Sequence, residues 1–235
     1  MLATIIRMFF RRAAMHALNG RYRNRDRPAA GRLGKEDVRA ILKLAWNHAD
    51  SLMLQADFPQ YRSRGNRLNV YLCLLSLACY RALREYGLSA PWATELFSDT
   101  GWHIYERMAK LVIAPSRPFT RDPQKRINFM LRALMIFPFN EDPNGYQRKA
   151  WKEADHMRTD WTRCAPLDFI RKAGTPEELA FFRATWCWYD YALPGLVDPR
   201  GDYERPHTLS DGDSVCDMRW YGIRVVSKDE MLDRE

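Results

Sequence analysis

Reactive side chains are concentrated in the last third of this 235-residue chain. Cys187 and Asp190 are three positions apart, a spacing that places both on one face of a helix, and Arg183 lies one turn earlier on the same side. A thiol, a carboxylate and a guanidinium would then face one neighbourhood. We therefore assign Cys187 and Asp190 to a candidate catalytic centre and Arg183 to substrate binding.

A second reactive group lies on a predicted β-hairpin, with strands over 203–209 and 215–221. Strand alternation places Cys216 on the same face as Met218 and Trp220. These apolar neighbours indicate that the Cys216 face packs against the core. A thiol in such surroundings becomes nucleophilic only if a nearby cation or base lowers its pKa.

His207, on the partner strand of the hairpin, is a candidate for the base that would activate Cys216. Its second ring nitrogen would need a carboxylate to orient it, and either Asp190 or Asp217 could do so. Asp217 and Arg219 share the other face of their strand, where an exposed ion pair of little energetic weight is the alternative to a role in substrate binding.

Other cysteine functions receive less support from the spacing. Cys73 and Cys79 lie in an apolar helix and are predicted to be core residues. Cys164 and the cysteines of the candidate centre lack the spacing of zinc ligands, so we predict no metal site. A buried hydrophobic role remains the alternative for each cysteine of the candidate centre as well.

Composition and charge limit the class of protein. Hydrophobic residues make up 46% of the chain, which predicts a packed domain, and five cysteines without regular spacing predict no disulfide framework and a cytoplasmic location. The net charge of +8 is concentrated in residues 1–34, where eight arginines face a single aspartate. We therefore expect no specific nucleic-acid partner for the domain.

Residues 2–18 are predicted to form a short basic amphipathic helix. Its apolar stripe could dock on the domain itself, or it could lie in an anionic membrane surface as a peripheral contact. An organelle transit peptide is a third possibility because the segment is rich in arginine and almost free of acids.

The rest of the chain is predicted to be an α+β domain over 35–226, followed by a charged tail over 227–235. Apolar periodicity predicts a mainly helical body, and the late strands and the hairpin predict a small antiparallel sheet. Helices are predicted over 35–58, 68–85, 91–115, 121–137 and 175–191, and a strand is predicted over 157–164.

Short ordered motifs in the last third resemble the L-2-amino-thiazoline-4-carboxylic acid hydrolase family. They lie at 163–166, 174–179 and 187–191, and the most specific is Thr-Leu-x-x-Gly-x-x-x-Cys-Asp-x-Arg, which begins at Thr208 and ends at Arg219. Together the motifs cover about residues 146–222, and residues 1–34 have no counterpart. Met218 departs from the aromatic residue expected at its position.

The resemblance implies a hydrolase that opens a cyclic amidine carrying a carboxylate, without an organic cofactor. A Cys216 thiolate or water would attack the amidine carbon, and His207 or Asp190 would move protons. Arg219 would hold the carboxylate. Asp217, Arg183 and Trp186 are the remaining candidates for substrate binding.

The end of the chain is also similar to four-vinyl-reductase ligand-binding domains, which implies a module that binds a small molecule without turnover. A related cyclase of a biosynthetic pathway is a further alternative. All three interpretations predict a small-molecule partner, and the sequence leaves the oligomeric state open.

Overall fold

The computed structural model describes residues 2–224. Within them the chain has the predicted α+β architecture, a helical body with a small antiparallel sheet of late strands. The helices are α1 (Leu2–Leu18), α2 (Lys35–Met53), α3 (Arg64–Glu85), α4 (Ala90–Ile113), α5 (Pro123–Ile136), α6 (Ala165–Ala173), α7 (Pro176–Thr185) and α8 (Tyr189–Ala192). The strands are β1 (Gln147–Lys152), β2 (Met157–Arg163), β3 (Asp202–Glu204) and β4 (Cys216–Tyr221).

Helix α3 is the central buried helix, as its apolar residues on nearly every side predict. It packs against α2, α4 and α6. The helix begins four residues before the predicted start because Ser63 caps it, its hydroxyl accepting a hydrogen bond from the backbone N–H of Asn66 at 3.2 Å. Such polar caps are not visible in an apolar periodicity, so the pattern alone placed the start too late.

Helix α1 docks its apolar stripe on the domain, which is the first of the three possibilities for residues 2–18. Phe10 is 2% exposed and lies against Trp46 of α2 and Phe97 of α4, with ring centroids 6.1 and 6.4 Å apart. Ala14 and Leu18, one and two turns further along, are also fully buried. The first 34 residues therefore contribute to the core rather than forming a detached arm.

The sheet has the strand order β1-β2-β4-β3, and every neighbouring pair is antiparallel. Strand β2 matches the prediction for 157–164, whereas β1 and α6 were not predicted. Strand β1 is a mainly exposed edge strand with three basic residues, and its side chains do not alternate between buried and exposed. Helix α6 has only nine residues, too few for a helical period to stand out.

The helix predicted over 175–191 is interrupted. Helix α7 ends at Thr185, and the chain turns before α8 begins at Tyr189. In a continuous helix the carbonyl of Cys187 would accept a hydrogen bond from the N–H of Tyr191. It accepts instead from Nη2 of Arg205 at 2.8 Å, while the N–H of Tyr191 donates to the carbonyl of Trp188.

The predicted hairpin is also different, because β3 ends at Glu204 and an eleven-residue connection, 205–215, leads to β4. Side chains of β4 hold this connection in place of strand pairing. The carboxylate of Asp217 accepts a hydrogen bond from the backbone N–H of His207 at 2.8 Å, and Sγ of Cys216 accepts one from the N–H of Leu209 at 3.2 Å. Gly212 completes the connection with a φ of +104°, a conformation that favours glycine.

Among residues 2–224, no helix combines the length and the apolar character needed to cross a bilayer. The charged tail predicted over 227–235 lies outside the described residues.

Candidate functional site

A cavity of about 180 Å³ lies where two parts of the apolar core meet. Helices α4 and α5 form one wall, the sheet forms another, and the turn between α7 and α8 closes one side. Most of its lining is apolar. Two charged side chains, Asp190 and Arg205, and three cysteines, Cys164, Cys187 and Cys216, stand out against this lining.

Asp190 is the acid of this cavity. Its Oδ2 lies 3.3 Å from Nη1 of Arg205, and its Oδ1 accepts a hydrogen bond from the hydroxyl of Tyr105, also at 3.3 Å. Burial raises the pKa of Asp190 to about 6, and its two partners only partly oppose this effect. The side chain keeps 26% of its surface accessible, and it lines the cavity. Asp190 can therefore exchange a proton with a ligand near neutral pH.

Arg205 is the cation of the cavity, and no sequence pattern singled it out. Only 7% of its side chain is exposed, and its guanidinium lies against the rings of Tyr191 and Tyr203, 5.4 and 5.8 Å from their centroids. Burial lowers the pKa of Arg205, but its electrostatic interactions, with Tyr203 and with the carboxylate of Asp190, outweigh burial and raise it, so the group stays protonated. Its distance of fifteen positions from Asp190 in the chain matches no motif spacing.

Two buried N–H donors at the cavity have no hydrogen-bond partner within residues 2–224. One is Nε of Arg205, and the other is Nε1 of Trp161, whose side chain also lines the cavity. A buried donor without a partner costs free energy, and a ligand that supplies an acceptor removes this cost. The cavity is therefore suited to a ligand that carries a carboxylate or carbonyl oxygen.

Cys187 and Cys216 both reach the cavity, and a short polar chain connects them. Sγ of Cys187 lies 3.5 Å from Oγ of Ser210, Oγ of Ser210 lies 3.3 Å from Oγ1 of Thr208, and that hydroxyl lies 3.5 Å from Sγ of Cys216. Burial raises the pKa of Cys187 to about 11 and also raises the pKa of Cys216. Both side chains are therefore neutral thiols at physiological pH.

Cys164 lines the same cavity. Burial raises its pKa well above the ordinary value, so it too is a neutral thiol. In the part of the chain that the structure describes, no three His, Cys, Asp or Glu side chains are grouped so that they could hold a metal ion.

His207 does not line the cavity with the other candidate catalytic residues. It lies on the connection before β4 with 59% of its side chain exposed, and Nδ1 is 3.3 Å from Oδ1 of Asp217. Asp217 is buried but also lies outside the cavity lining. Burial raises the pKa of Asp217, but the hydrogen bonds from His207 outweigh burial and lower it. The predicted pair of His207 and a carboxylate therefore exists, but it lies outside the cavity lining to which Cys216 contributes.

The predicted substrate-binding residues divide in the same way. Trp186 lines the cavity, and its Nε1 donates to the hydroxyl of Ser76 at 3.1 Å. Arg219 is paired with Glu204 at 3.5 Å, and Arg183 donates to the carbonyl of Ser210, so neither lines the cavity. Arg183 was expected to share a face with Cys187, but the helix ends between them.

The fold and the site together define the class: an α+β domain with a mainly apolar cavity that contains a partly buried acid beside a buried guanidinium. Comparison of the chain with protein-family models, with curated proteins and with solved structures finds no match. The resemblance of the last third to the thiazoline hydrolases therefore stays a prediction.

Proposed function

We propose that the chain is a hydrolase that opens a cyclic amidine bearing a carboxylate, with Asp190 as the proton-transfer group and Arg205 as the carboxylate-binding residue. The observation that carries the proposal is Asp190, an acid with a pKa of about 6 beside Arg205 in an apolar cavity. A general acid or base works best when its pKa is close to the pH at which it acts.

The neutral thiols favour water rather than a cysteine as the nucleophile. Ionised Asp190 would accept a proton from a water molecule as the oxygen of that water adds to the amidine carbon. Asp190 would pass this proton to the ring nitrogen, which takes the electron pair of the C=N bond. The hydroxyl of the tetrahedral intermediate would then give its proton to Asp190 as a C=O bond forms and the bond from this carbon to sulfur breaks, and Asp190 would deliver that proton to the departing sulfur. The products are a thiol and a carbamoyl group, and all atoms of the substrate and of one water are accounted for.

Arg205 takes the role that the sequence assigned to Arg219. Its unpartnered Nε–H and that of Trp161 offer two donors to a substrate carboxylate or carbonyl. The apolar remainder of the lining favours a substrate with a larger hydrophobic part than a bare amino-thiazoline ring.

The test is a panel of cyclic amidines, thiazolines and thioesters, assayed by mass spectrometry for hydrolysis. We expect the wild type to hydrolyse at least one cyclic amidine and Asp190→Asn to lose turnover by about 100-fold or more. Asp217→Asn is the matched control, because this buried carboxylate lies outside the cavity lining, and it should keep turnover. Full activity in Asp190→Asn would refute the proposal.

A Cys216→Ala variant separates the two nucleophiles. Attack by water predicts that it keeps most of its activity, since the thiol would only line the site. Loss of turnover together with unchanged substrate binding would identify Cys216 as the nucleophile instead.

A module that binds a small molecule without turnover is the second candidate, and the neutral thiols and the position of His207 outside the cavity lining favour it. Saturable binding of an apolar carboxylate without product, abolished in Arg205→Gln, would support this candidate. A peripheral membrane contact through residues 2–18 remains a separate proposal about where the protein acts.

A further inference from the structure

Helix α5 presents an exposed stripe in which basic and apolar side chains alternate. Lys125, Phe129, Arg132 and Ile136 follow one another at steps of four, three and four residues, so they lie on one face, and all four are exposed. Ile136 is 79% exposed. An isoleucine this accessible contributes little to the core of the domain, so its stripe is open to a partner.

The end of α4 and the turn after it continue this character. Leu111 is 76% exposed and Phe119 is 83% exposed. Arg107, Lys110 and Arg117 are exposed beside them in the sequence. Because α4 packs against both α5 and the turn, these side chains adjoin the α5 stripe.

Helix α1 adds a third stripe on the side that faces away from the core. Ile5, Met8 and Phe9 are exposed apolar residues, and Arg11 and Arg12 are exposed on the next turn. These are residues of the segment for which the sequence already predicted a possible membrane contact. Its inner side is buried, so this outer side is the part that remains available.

Helix α1 runs antiparallel to α4, which brings the stripes together. The ring of His16 stacks on that of His103 with centroids 4.6 Å apart, and Arg21 pairs with Glu95 at 3.2 Å. Phe10 of α1 and Met108 of α4 line the same cavity, so the outer turns of α1 lie near the last turns of α4. We name the exposed side chains of residues 5–12, 107–119 and 125–136 the basic apolar face.

The charge of this region is strongly one-sided. Segment 2–18 contains three arginines and no acid, and segment 106–137 contains seven Arg and Lys residues against two acids, Glu106 and Asp122, which pair with Lys110 and Lys125. Repulsion between like charges opposes contact with a second copy of the same face. A nucleic acid would match the charge but not the exposed Leu111, Phe119 and Ile136. An anionic lipid surface matches both.

We propose that the basic apolar face docks on an anionic lipid bilayer, with its apolar side chains in the headgroup region and its Lys and Arg residues against lipid phosphates and carboxylates. The contact is wider than the one predicted from residues 2–18 alone. The inner sides of the same three helices line the cavity through Phe10, Met108 and Met135, so docking would place the cavity just below the lipid surface. This inference does not depend on the reaction proposed for Asp190.

Cosedimentation with vesicles tests the proposal on the full chain. The wild type should bind phosphatidylcholine vesicles that contain phosphatidylserine, bind pure phosphatidylcholine vesicles far less, and be released by salt. Lys125→Glu/Arg132→Glu should weaken binding by roughly tenfold or more, because each basic residue near an anionic surface contributes to the attraction. Leu111→Ser/Ile136→Ser should weaken it similarly without changing the charge.

Matched controls place the same changes elsewhere on the surface. Lys43→Glu/Arg62→Glu reverses two exposed charges outside the face, and Leu54→Ser removes a leucine that is 90% exposed on the turn after α2. Both should bind as the wild type does. Because every substituted side chain is exposed, circular dichroism and urea unfolding should show that the variants fold.

Three results would overturn the proposal. The first is a wild type that binds neither kind of vesicle, and the second is a loss of binding as large in the controls as in the face variants. The third is a different occupant of the face. A dimer in light scattering that Ile136→Ser dissociates would identify a second copy, and DNA binding abolished by the charge variant but not by the apolar variant would identify a nucleic acid.

Discussion

The elevated pKa of Asp190 makes a quantitative prediction about stability that needs no substrate. The ordinary pKa of this carboxyl is 3.8, and burial in the cavity raises it to about 6. Because the folded chain holds this proton more tightly than the unfolded chain, the free energy of unfolding falls as pH rises from the unfolded value through the folded value. At 1.36 kcal/mol per pKa unit, the contribution that is lost is up to about 3 kcal/mol.

The perturbation is Asp190→Asn, which removes this titration; the groups whose pKa Asp190 raises, such as Cys187 and Arg205, titrate well above the pH range of the test. The free energy of unfolding of the wild type minus that of Asp190→Asn should be largest at acid pH. It should then fall by up to about 3 kcal/mol, mostly between about pH 4 and 6. Urea unfolding followed by tryptophan fluorescence at a series of pH values measures both proteins.

The Asp217→Asn variant is the comparison, because the pKa of this buried carboxylate is shifted in the opposite direction from that of Asp190. The pKa of Asp217 is below its ordinary value of 3.8, so its contribution to stability is present above that pH and is lost only as pH falls further. The free energy of unfolding of the wild type minus that of Asp217→Asn should therefore not change between about pH 4 and 7. A flat or rising curve for Asp190 over the same range would show that Arg205 outweighs burial, and the proposed acid–base role would lose its basis.

Three further predictions concern the same structure. In Arg205→Gln the positive charge beside Asp190 is lost, so the pKa of Asp190 should rise above 6. The free energy of unfolding of Arg205→Gln, measured against pH with and without Asp190→Asn, gives this pKa. If the pH midpoint of the difference is the same as in the wild type, Arg205 does not pair with Asp190. In the native protein Cys216 should react with iodoacetamide more slowly than free glutathione does, and after unfolding it should react at the same rate as glutathione. Mass spectrometry measures the labelling. Faster labelling of the native protein would indicate a thiolate. Phe10→Ala should lower the free energy of unfolding by about 3–5 kcal/mol, while exposed Phe9→Ala changes it by less than about 0.5 kcal/mol; equal effects would mean that α1 does not pack as described.

Local patterns in the sequence were sufficient for the fold class and for most of the helices. The apolar residues of α3 recur on nearly every side, and this pattern alone identifies a buried helix. The orientation of β4 also followed from alternation, because Cys216, Met218 and Trp220 do line the cavity together. Each of these features is set by residues close together in the chain.

The features that sequence reasoning missed depend on contacts that an apolar pattern does not show. His207 was placed on a strand, but its backbone N–H is held by the carboxylate of Asp217, ten positions later, rather than by a strand partner. Strand β1 pairs with β2 although its own residues show no alternation. In both cases pairing with another segment determines the conformation, and the residues' own apolar pattern does not show that pairing.

The interrupted helix links this limitation to the function. A continuous helix over 175–191 would use the carbonyl of Cys187 for its own hydrogen bond, and Arg205 would lose that acceptor. With the turn at 186–188, this carbonyl and the carboxylate of Asp190 together hold two nitrogens of the guanidinium, while Nε remains without a partner within the described residues. The departure from helical periodicity is therefore what positions a fixed cation beside the cavity acid. A prediction of α7 and α8 as one helix therefore leaves no free carbonyl at Cys187 for Arg205 to bind.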